Sequence, residues 1–207
     1  MVKNILRLEL RIVKKKSVIR LSIIAFVIVS TIVLIWFFGY STSIEKSLED
    51  YSERREIYPA LSDVFPDLNT LPKHENIYYQ YRDKRLFPFS GPGSLLLVVT
   101  YDSEIYEVEK KKLESLTFLS QPIGDDKDYQ IPETEFSIKS FTFKVLGDNG
   151  NEKKFEYPMY FAMIATSDEK NSIAYLSFGD SDLDYISETN EEGSMAKFVK
   201  EYYRYKW

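Results

Sequence analysis

The chain has 207 residues, a net charge of −5 and no cysteine. The lack of cysteine excludes disulfide bonds, thiolate metal sites, a cysteine nucleophile and lipidation at a cysteine. The acidic balance argues against nucleic acid as a partner, because nothing would offset the repulsion between the carboxylates and the phosphates.

The amino-terminal segment carries charge of the opposite sign. The first 20 residues contain seven basic side chains and one acidic one, a net charge of +6, so the remainder carries −11. On a helical projection of residues 1–17 the basic and apolar side chains fall on opposite sides, which predicts a basic amphipathic segment at the cytoplasmic face of a membrane. A cluster that only directs membrane topology would have the same composition, and the sequence leaves both interpretations open.

A long uncharged run follows this basic segment. Residues 21–44 contain no charged side chain, and almost every residue of the stretch 21–40 is apolar. As a helix those residues would be about 30 Å long, the thickness of the hydrocarbon core of a bilayer. This predicts a transmembrane signal-anchor helix over 18–40, with a cytoplasmic amino terminus and the rest of the chain outside the cell membrane. A cleaved signal peptide is the alternative, although this run is longer than is usual for one.

Two short segments separate the anchor from the main domain. Thr42 and Glu45 have the spacing of a capping box, and apolar residues then recur at helical intervals. This pattern predicts a juxtamembrane stalk helix over 41–58. The Pro- and Asp-rich residues 59–75 are predicted to form a linker, and residues 76–207 an extracytoplasmic domain.

The predicted domain belongs to the α+β class, with a mainly antiparallel sheet and helices packed on it. An Asn-Gly pair at 149–150 lies between two alternating apolar runs, which is a strong signal for a β-hairpin. The predicted order is β-β-α-β-β-β-α, with strands at 76–84, 94–101, 136–146, 153–166 and 172–178 and helices at 104–119 and 194–203.

One group of carboxylates has the spacing of a metal site. Asp180, Asp182 and Asp184 alternate along the chain, and alternating carboxylates can converge on a calcium ion. An EF-hand loop that began at Asp180 would have Tyr185 at its sixth position, where the sharp turn needs glycine. The alternative interpretation is an acidic strand end and turn. We predict no other cofactor.

Other catalytic designs have little support in the sequence. His74 is the only histidine, and the chain contains no Gly-rich phosphate loop, HExxH or GxSxG motif. Aromatic and basic residues interleave in two segments, 78–89 and 202–207. Such residues can form a binding surface, but alternate aromatic residues in a strand are usually half buried, so packing is the favoured interpretation.

Three neighbouring segments suggest a family. LLLVVTYDSEIYEVEKKKL (95–113), YPMYFAMIATSDEK (157–170) and NSIAYLSFGDSDLDYI (171–186) resemble a family of small uncharacterised membrane-anchored or lipid-anchored extracytoplasmic proteins of Gram-positive bacteria. The resemblance implies the topology of an anchored outer domain and no catalytic residue. The chain departs from the lipid-anchored members because it lacks cysteine.

Taken together, these features predict a single-pass membrane protein whose outer domain is a non-enzymatic binding or accessory module of the cell envelope. Its expected partners are the lipid bilayer and a membrane or cell-wall protein. Two alternatives stay open: a membrane-tethered, carboxylate-based hydrolase that works with or without a divalent cation, and a structural subunit of a membrane complex.

Overall fold

A computed structural model describes residues 18–34, 40–57, 64–86, 89–125, 128–150, 153–157, 159–180 and 194–207. The chain divides into two compact units. The larger unit comprises Thr42–Lys84 and Ser90–Trp207, and the smaller one contains the amino-terminal helix together with Arg85–Phe89.

The amino-terminal helix, α1, occupies residues 18–34. The predicted membrane-spanning helix reached residue 40, but residues 35–39 lie outside the described part of the chain, as do residues 1–17 with the predicted amphipathic segment. None of the helices within the described ranges combines the length and the apolar character needed to cross a membrane.

The larger unit is built on a seven-stranded sheet, and the α+β prediction is confirmed. The strands lie in the order β1-β2-β3-β9-β8-β7-β6, and the pairs with a described register are all antiparallel. Strands β4 and β5 form a separate two-stranded sheet. The strands are β1 (Tyr40–Glu45), β2 (Asn76–Leu86), β3 (Phe89–Thr100), β4 (Ile123–Asp125), β5 (Asp128–Ile131), β6 (Glu135–Ile138), β7 (Phe141–Val145), β8 (Tyr160–Ser167) and β9 (Ser172–Gly179).

The helices of the larger unit are α2 (Tyr51–Ile57), α3 (Ser103–Lys112) and α4 (Met195–Tyr203). Helix α3 begins where the sequence predicts, because the Asp102 side chain accepts a hydrogen bond from the backbone N–H of Ile105. Ser194 caps α4 in the same way. The helical conformation after α3 continues only as a 3₁₀ turn, Leu113–Ser115, and so ends before the predicted residue 119.

Strands β3 and β9 form the centre of the sheet, and both of their faces are buried. Leu96 and Leu176 are partners in the register and lie on one face, whereas Leu97 and Tyr175 lie on the other. This double burial explains why both strands read as continuous apolar runs rather than as an alternation of apolar and polar residues.

Helix α4 and the residues after it cover one face of the sheet. Phe198 packs against Phe178 with ring centroids 4.9 Å apart, and the Tyr203 hydroxyl donates a 2.7 Å hydrogen bond to the carbonyl of Ser177. Trp207 packs edge-on against Phe143, with centroids 4.9 Å apart. The predicted carboxy-terminal helix is therefore confirmed as a layer of the core.

The opposite face is covered by α2, α3 and the segment around Phe65. Phe65 is buried beside Tyr175, at 5.9 Å between ring centroids, and Tyr106 of α3 is also fully buried. Each face of the sheet thus has its own apolar core, and the two cores lie on either side of β3 and β9.

The predicted stalk and linker differ from the structure. A helix is present only at residues 51–57, whereas the predicted capping-box residues lie in strand β1. Tyr51 is buried, contacts Tyr79 edge-on at 5.5 Å and donates a 2.7 Å hydrogen bond to the Pro66 carbonyl. These contacts attach α2 and the described part of the predicted linker to the domain core.

The predicted single strand 136–146 is two strands. Lys139 has φ 52°, a left-handed conformation that reverses the chain and lets β6 pair with β7. The reversal stacks Phe136 on Phe143 with ring centroids 4.9 Å apart. The partner strand of β7 in the predicted hairpin, β8, begins only at Tyr160. Pro158, which lies within the predicted strand 153–166, is outside the described residues.

Candidate functional site

Helix α1 exposes its apolar side chains all around its surface. The described residues include fourteen exposed large hydrophobic side chains, and twelve of them belong to α1. Phe26 is 73% exposed and Leu21 is 66% exposed. The Thr31 hydroxyl, one of the few polar groups of the helix, donates a 2.8 Å hydrogen bond to the Val27 carbonyl one turn earlier. Exposed apolar surface on this scale marks a site that contacts another apolar surface or a membrane.

The larger unit has a small groove where α3 and the chain after it run beside β7 and β8. Its volume is about 180 Å³, below the roughly 300–1,000 Å³ of pockets that enclose whole small molecules. The groove has room for one or two side chains of a partner. It is lined by Lys110, Leu113, Glu114, Phe118, Thr142, Lys144, Ile164 and Thr166.

The two lysines of the groove are already engaged by carboxylates. Lys110 donates a 2.5 Å hydrogen bond to Oδ1 of Asp168, and Nζ of Lys144 lies 3.4 Å from a carboxylate oxygen of Glu135. Lys144 also lies 5.8 Å from the ring centroid of Phe118, within cation–π range. The lysine ammonium groups and the apolar wall therefore offer mixed surface, suited to an amphipathic side chain.

A buried tyrosine completes the network at Asp168. The Tyr106 hydroxyl donates a 2.5 Å hydrogen bond to the same carboxylate oxygen that Lys110 contacts. The hydrogen bonds from Lys110 and Tyr106 lower the pKa of Asp168, and the bond to Asp168 raises the pKa of Lys110. Burial, followed by the bond to Asp168, raises the pKa of Tyr106.

The protonation states of these groups near pH 7 limit what the groove can do chemically. Lys110 stays protonated and Tyr106 stays neutral near pH 7, so neither group is prepared to accept a proton from a substrate. Asp168 stays ionised and is occupied by its two donors. The arrangement supports binding better than acid–base catalysis.

The predicted calcium ligands are only partly described. Asp180 follows β9 and its backbone N–H donates a 2.8 Å hydrogen bond to the Met159 carbonyl. Asp182 and Asp184 lie outside the described residues. Among the residues that are described, no three acidic or histidine side chains form a group that could hold a metal ion. Calcium binding therefore stays a prediction.

The structure also shows the contacts of His74, the single histidine, and of Asp148, which precedes the Asn-Gly pair. His74 is exposed, with Nδ1 3.0 Å from the Pro72 carbonyl oxygen. Asp148 accepts hydrogen bonds from the backbone N–H groups of Lys154 at 2.7 Å and Phe155 at 3.0 Å. Asp148 thus organises the chain after the Asn-Gly turn, where Gly150 has φ 56°.

The interleaved aromatic residues are mostly part of the core, as the packing interpretation predicts. Tyr79, Tyr81, Tyr203 and Trp207 are buried. Arg82 donates hydrogen bonds to the carbonyl groups of Glu201 and Tyr202 at the end of α4, at 3.2 and 3.1 Å. Arg82 and Tyr203 bind the sheet to α4, whereas Tyr79 and Tyr81 belong to the core on the opposite face. Arg85, Phe87 and Phe89 have no described side-chain surroundings.

Sequence reasoning missed the groove. The structure pairs Lys110 with Asp168, which lies 58 residues away in the sequence. The one available signal was the alternation of Thr142 and Lys144 with buried residues in β7, which places both on the same face of a strand.

The chain matches no family model, no curated protein and no solved structure.

Proposed function

We propose that this protein is a single-pass membrane protein that displays an α+β binding module on the outer face of the cell membrane. The apolar run 21–40 is the anchor, the basic segment before it stays in the cytoplasm, and the domain acts as a non-enzymatic accessory module of the cell envelope. The partners are the lipid bilayer and a membrane or cell-wall protein.

The exposure of α1 is the observation that carries this proposal. Twelve large apolar side chains of α1 are each at least 47% exposed. At about 25 cal/mol per Å² of apolar surface, leaving such a helix in water would be strongly unfavourable, and a bilayer removes the cost. The +6 charge of the first 20 residues supports a cytoplasmic amino terminus.

The groove beside α3 supports the binding part of the proposal. It combines an apolar wall with two lysines and two threonines, and its size suits one or two side chains of a protein partner. Lys110 and Tyr106 both donate hydrogen bonds to Asp168, so both groups are donors at this surface. A partner that offers an apolar side chain with a neighbouring acceptor would match this surface.

The topology is tested by protease treatment of intact, wall-stripped cells that make the full chain. We expect the protease to digest the domain while the membrane retains the chain up to about residue 40, as read by mass spectrometry of the membrane fraction. A domain that resists digestion until the cells are lysed would overturn the proposed orientation.

The groove is tested by photo-crosslinking in the same cells. A photoreactive amino acid replaces Glu114 at the groove, and the control carries it at the exposed Glu104 near the start of α3. We expect a crosslinked protein at position 114 that is absent at position 104 and is lost when Lys144→Glu reverses the groove charge. Equal products at both positions would overturn the assignment of the groove.

A further inference from the structure

Strand β6 is one of the two edges of the seven-stranded sheet, and among the described strands it pairs only with β7. The Val145 N–H donates a 2.9 Å hydrogen bond to the Thr134 carbonyl, so these two residues form a hydrogen-bonded pair. In an antiparallel ladder such pairs alternate with pairs whose backbone groups point away from the partner strand. The register therefore directs the N–H and C=O groups of Glu135 and Ser137 away from β7, out of the sheet.

This edge lacks most of the features with which proteins block the addition of another strand. β6 contains no proline, and its four residues pair with β7 in an unbroken register without a bulge. Glu135 and Ser137 are both exposed, and within the described part of the chain no hydrogen bond reaches their outward backbone groups. The carboxylate of Glu135 lies 3.4 Å from Nζ of Lys144, which weakens its repulsion of an approaching strand. The edge thus presents a backbone donor and acceptor at each of two positions.

From these observations we propose that β6 pairs antiparallel with β6 of a second copy of the chain, across a two-fold axis at Phe136. Such an axis makes both copies contribute the same surface, so the outward residues of one copy must match those of the other. With Phe136 on the axis, Glu135 lies opposite Ser137 of the second copy, and Ser137 lies opposite its Glu135. Both outward residues of each copy are used, and each pair exchanges two backbone hydrogen bonds.

Side-chain chemistry favours this register over its neighbours. An axis at Glu135 would place two carboxylates opposite each other. An axis at Ser137 would place Glu135 opposite Lys139, whose φ of 52° is not that of a strand. In the proposed register the Ser137 hydroxyl of the second copy can donate a hydrogen bond to the Glu135 carboxylate. On the other face the two Phe136 rings, each stacked on Phe143 of its own copy at 4.9 Å, become neighbours.

The register is tested with disulfides, because the chain contains no cysteine. Full-length Glu135→Cys and Ser137→Cys proteins are purified in detergent, and each is oxidised alone and in an equimolar mixture. The Cα atoms of a hydrogen-bonded pair lie about 5.5 Å apart, whereas the diagonal neighbours that either variant alone would have to link lie about 7–8 Å apart, too far for a disulfide. Val108→Cys, at an exposed position on α3, is the control for random collision.

We expect a disulfide-linked dimer from the mixture, and from either variant alone no more of it than from Val108→Cys. A yield from the mixture that does not exceed this control would overturn the pairing. Equal yields from the mixture and from each variant alone would overturn the register.

A proline at the edge tests the backbone hydrogen bonds without a crosslink. Ser137→Pro removes the outward N–H and leaves the hydrogen bonds between β6 and β7 in place, since an edge strand tolerates proline where the N–H faces solvent. Ser137→Ala loses the same side chain but keeps the N–H, so it is the matched control. At the protein concentration of the disulfide experiment, we expect light scattering in detergent to give a dimer for the wild type and Ser137→Ala and a monomer for Ser137→Pro.

A monomeric wild type, or a dimer that persists in Ser137→Pro, would overturn the proposal, because the copies would then be separate or would associate elsewhere. Circular dichroism shows whether Ser137→Pro is folded. If it is not, the disulfide experiment decides, because it leaves every backbone N–H of β6 in place.

Discussion

Helix α1 and strand β9 are both apolar, but β9 buries its side chains whereas α1 exposes them. Every residue of β9 from Ser172 to Phe178 is buried, because the sheet has a covering layer on each face. In α1 all residues except the half-buried Ser30 are exposed. Composition alone does not separate the two segments. What separates them is that β9 has neighbours on both edges and both faces, whereas α1 satisfies its own backbone hydrogen bonds.

This difference explains which environment each segment needs. A strand leaves its backbone groups unsatisfied until it pairs, so β9 is stable only inside the sheet. A helix pairs those groups internally and can therefore enter a bilayer as a single element. The comparison predicts that the same substitution should have different consequences in the two regions.

The largest expected effect is a difference between β9 and α1 in how much the loss of a phenylalanine ring lowers the free energy of unfolding. Phe178→Ala removes a ring that packs on Phe161 and Phe198, at centroid distances of 5.7 and 4.9 Å. We expect it to lower the free energy of unfolding by about 3–5 kcal/mol. The matched change Phe26→Ala in α1 should alter the stability of the domain by less than about 0.5 kcal/mol.

Urea unfolding of the full chain in detergent, followed by near-ultraviolet circular dichroism, measures both variants. A similar loss of stability in the two proteins would show that α1 packs on the domain, and the contrast between the regions would then be wrong.

A second prediction tests α1 through insertion into the membrane. Val27→Asp should cost about 2.5–3.5 kcal/mol of insertion free energy, since a carboxylate near the centre of a spanning helix loses its hydration. The ratio of inserted to uninserted chain in a translocation assay should fall by about a hundredfold. Val108→Asp, at an exposed position on α3, is the control and should leave the ratio unchanged.

The smallest expected effect concerns the network at the groove. The hydrogen bonds from Lys110 and Tyr106 lower the pKa of Asp168 in the folded protein. The stabilisation is therefore fully present above the unfolded-state pKa of about 3.9 and is lost as the pH falls through the folded-state pKa. Because the Asp168 side chain is 70% exposed, we expect Asp168→Asn to cost less than about 1 kcal/mol at neutral pH.

The difference in stability between the wild type and Asp168→Asn should disappear in acid, as measured by urea unfolding across the pH range. Glu169→Gln changes the adjacent exposed carboxylate and is the control. If the stability difference between the wild type and Asp168→Asn persists at a pH where Asp168 is protonated, Asp168 acts through packing rather than through its charge.

The elements with local signals could be predicted from the sequence. Asp102 and Ser194 cap their helices as short-range chemistry dictates, and the apolar runs of β3 and β9 identify two central strands. The turn at Lys139 was missed, because lysine is not a residue that favours a left-handed conformation and only the pairing of β6 with β7 stabilises it there.

The groove beside α3 could not be predicted from the sequence, because it is formed by residues that are far apart along the chain. Lys110 and Asp168 meet only because α3 packs across the turn after β8. Likewise, the capping-box spacing after the apolar run predicted a helix, but the pairing of β1 at the edge of the sheet overrides that local preference.

The arrangement of β3 beside β9 has a consequence for how the chain is made. Thr100 and Ser172 touch across 72 residues of sequence, and α4, which covers one whole face of the sheet, follows every strand. A nascent chain emerging at about 5–20 residues per second therefore carries an uncovered apolar sheet face until its last helix appears. Throughout that interval the uncovered face is prone to aggregation.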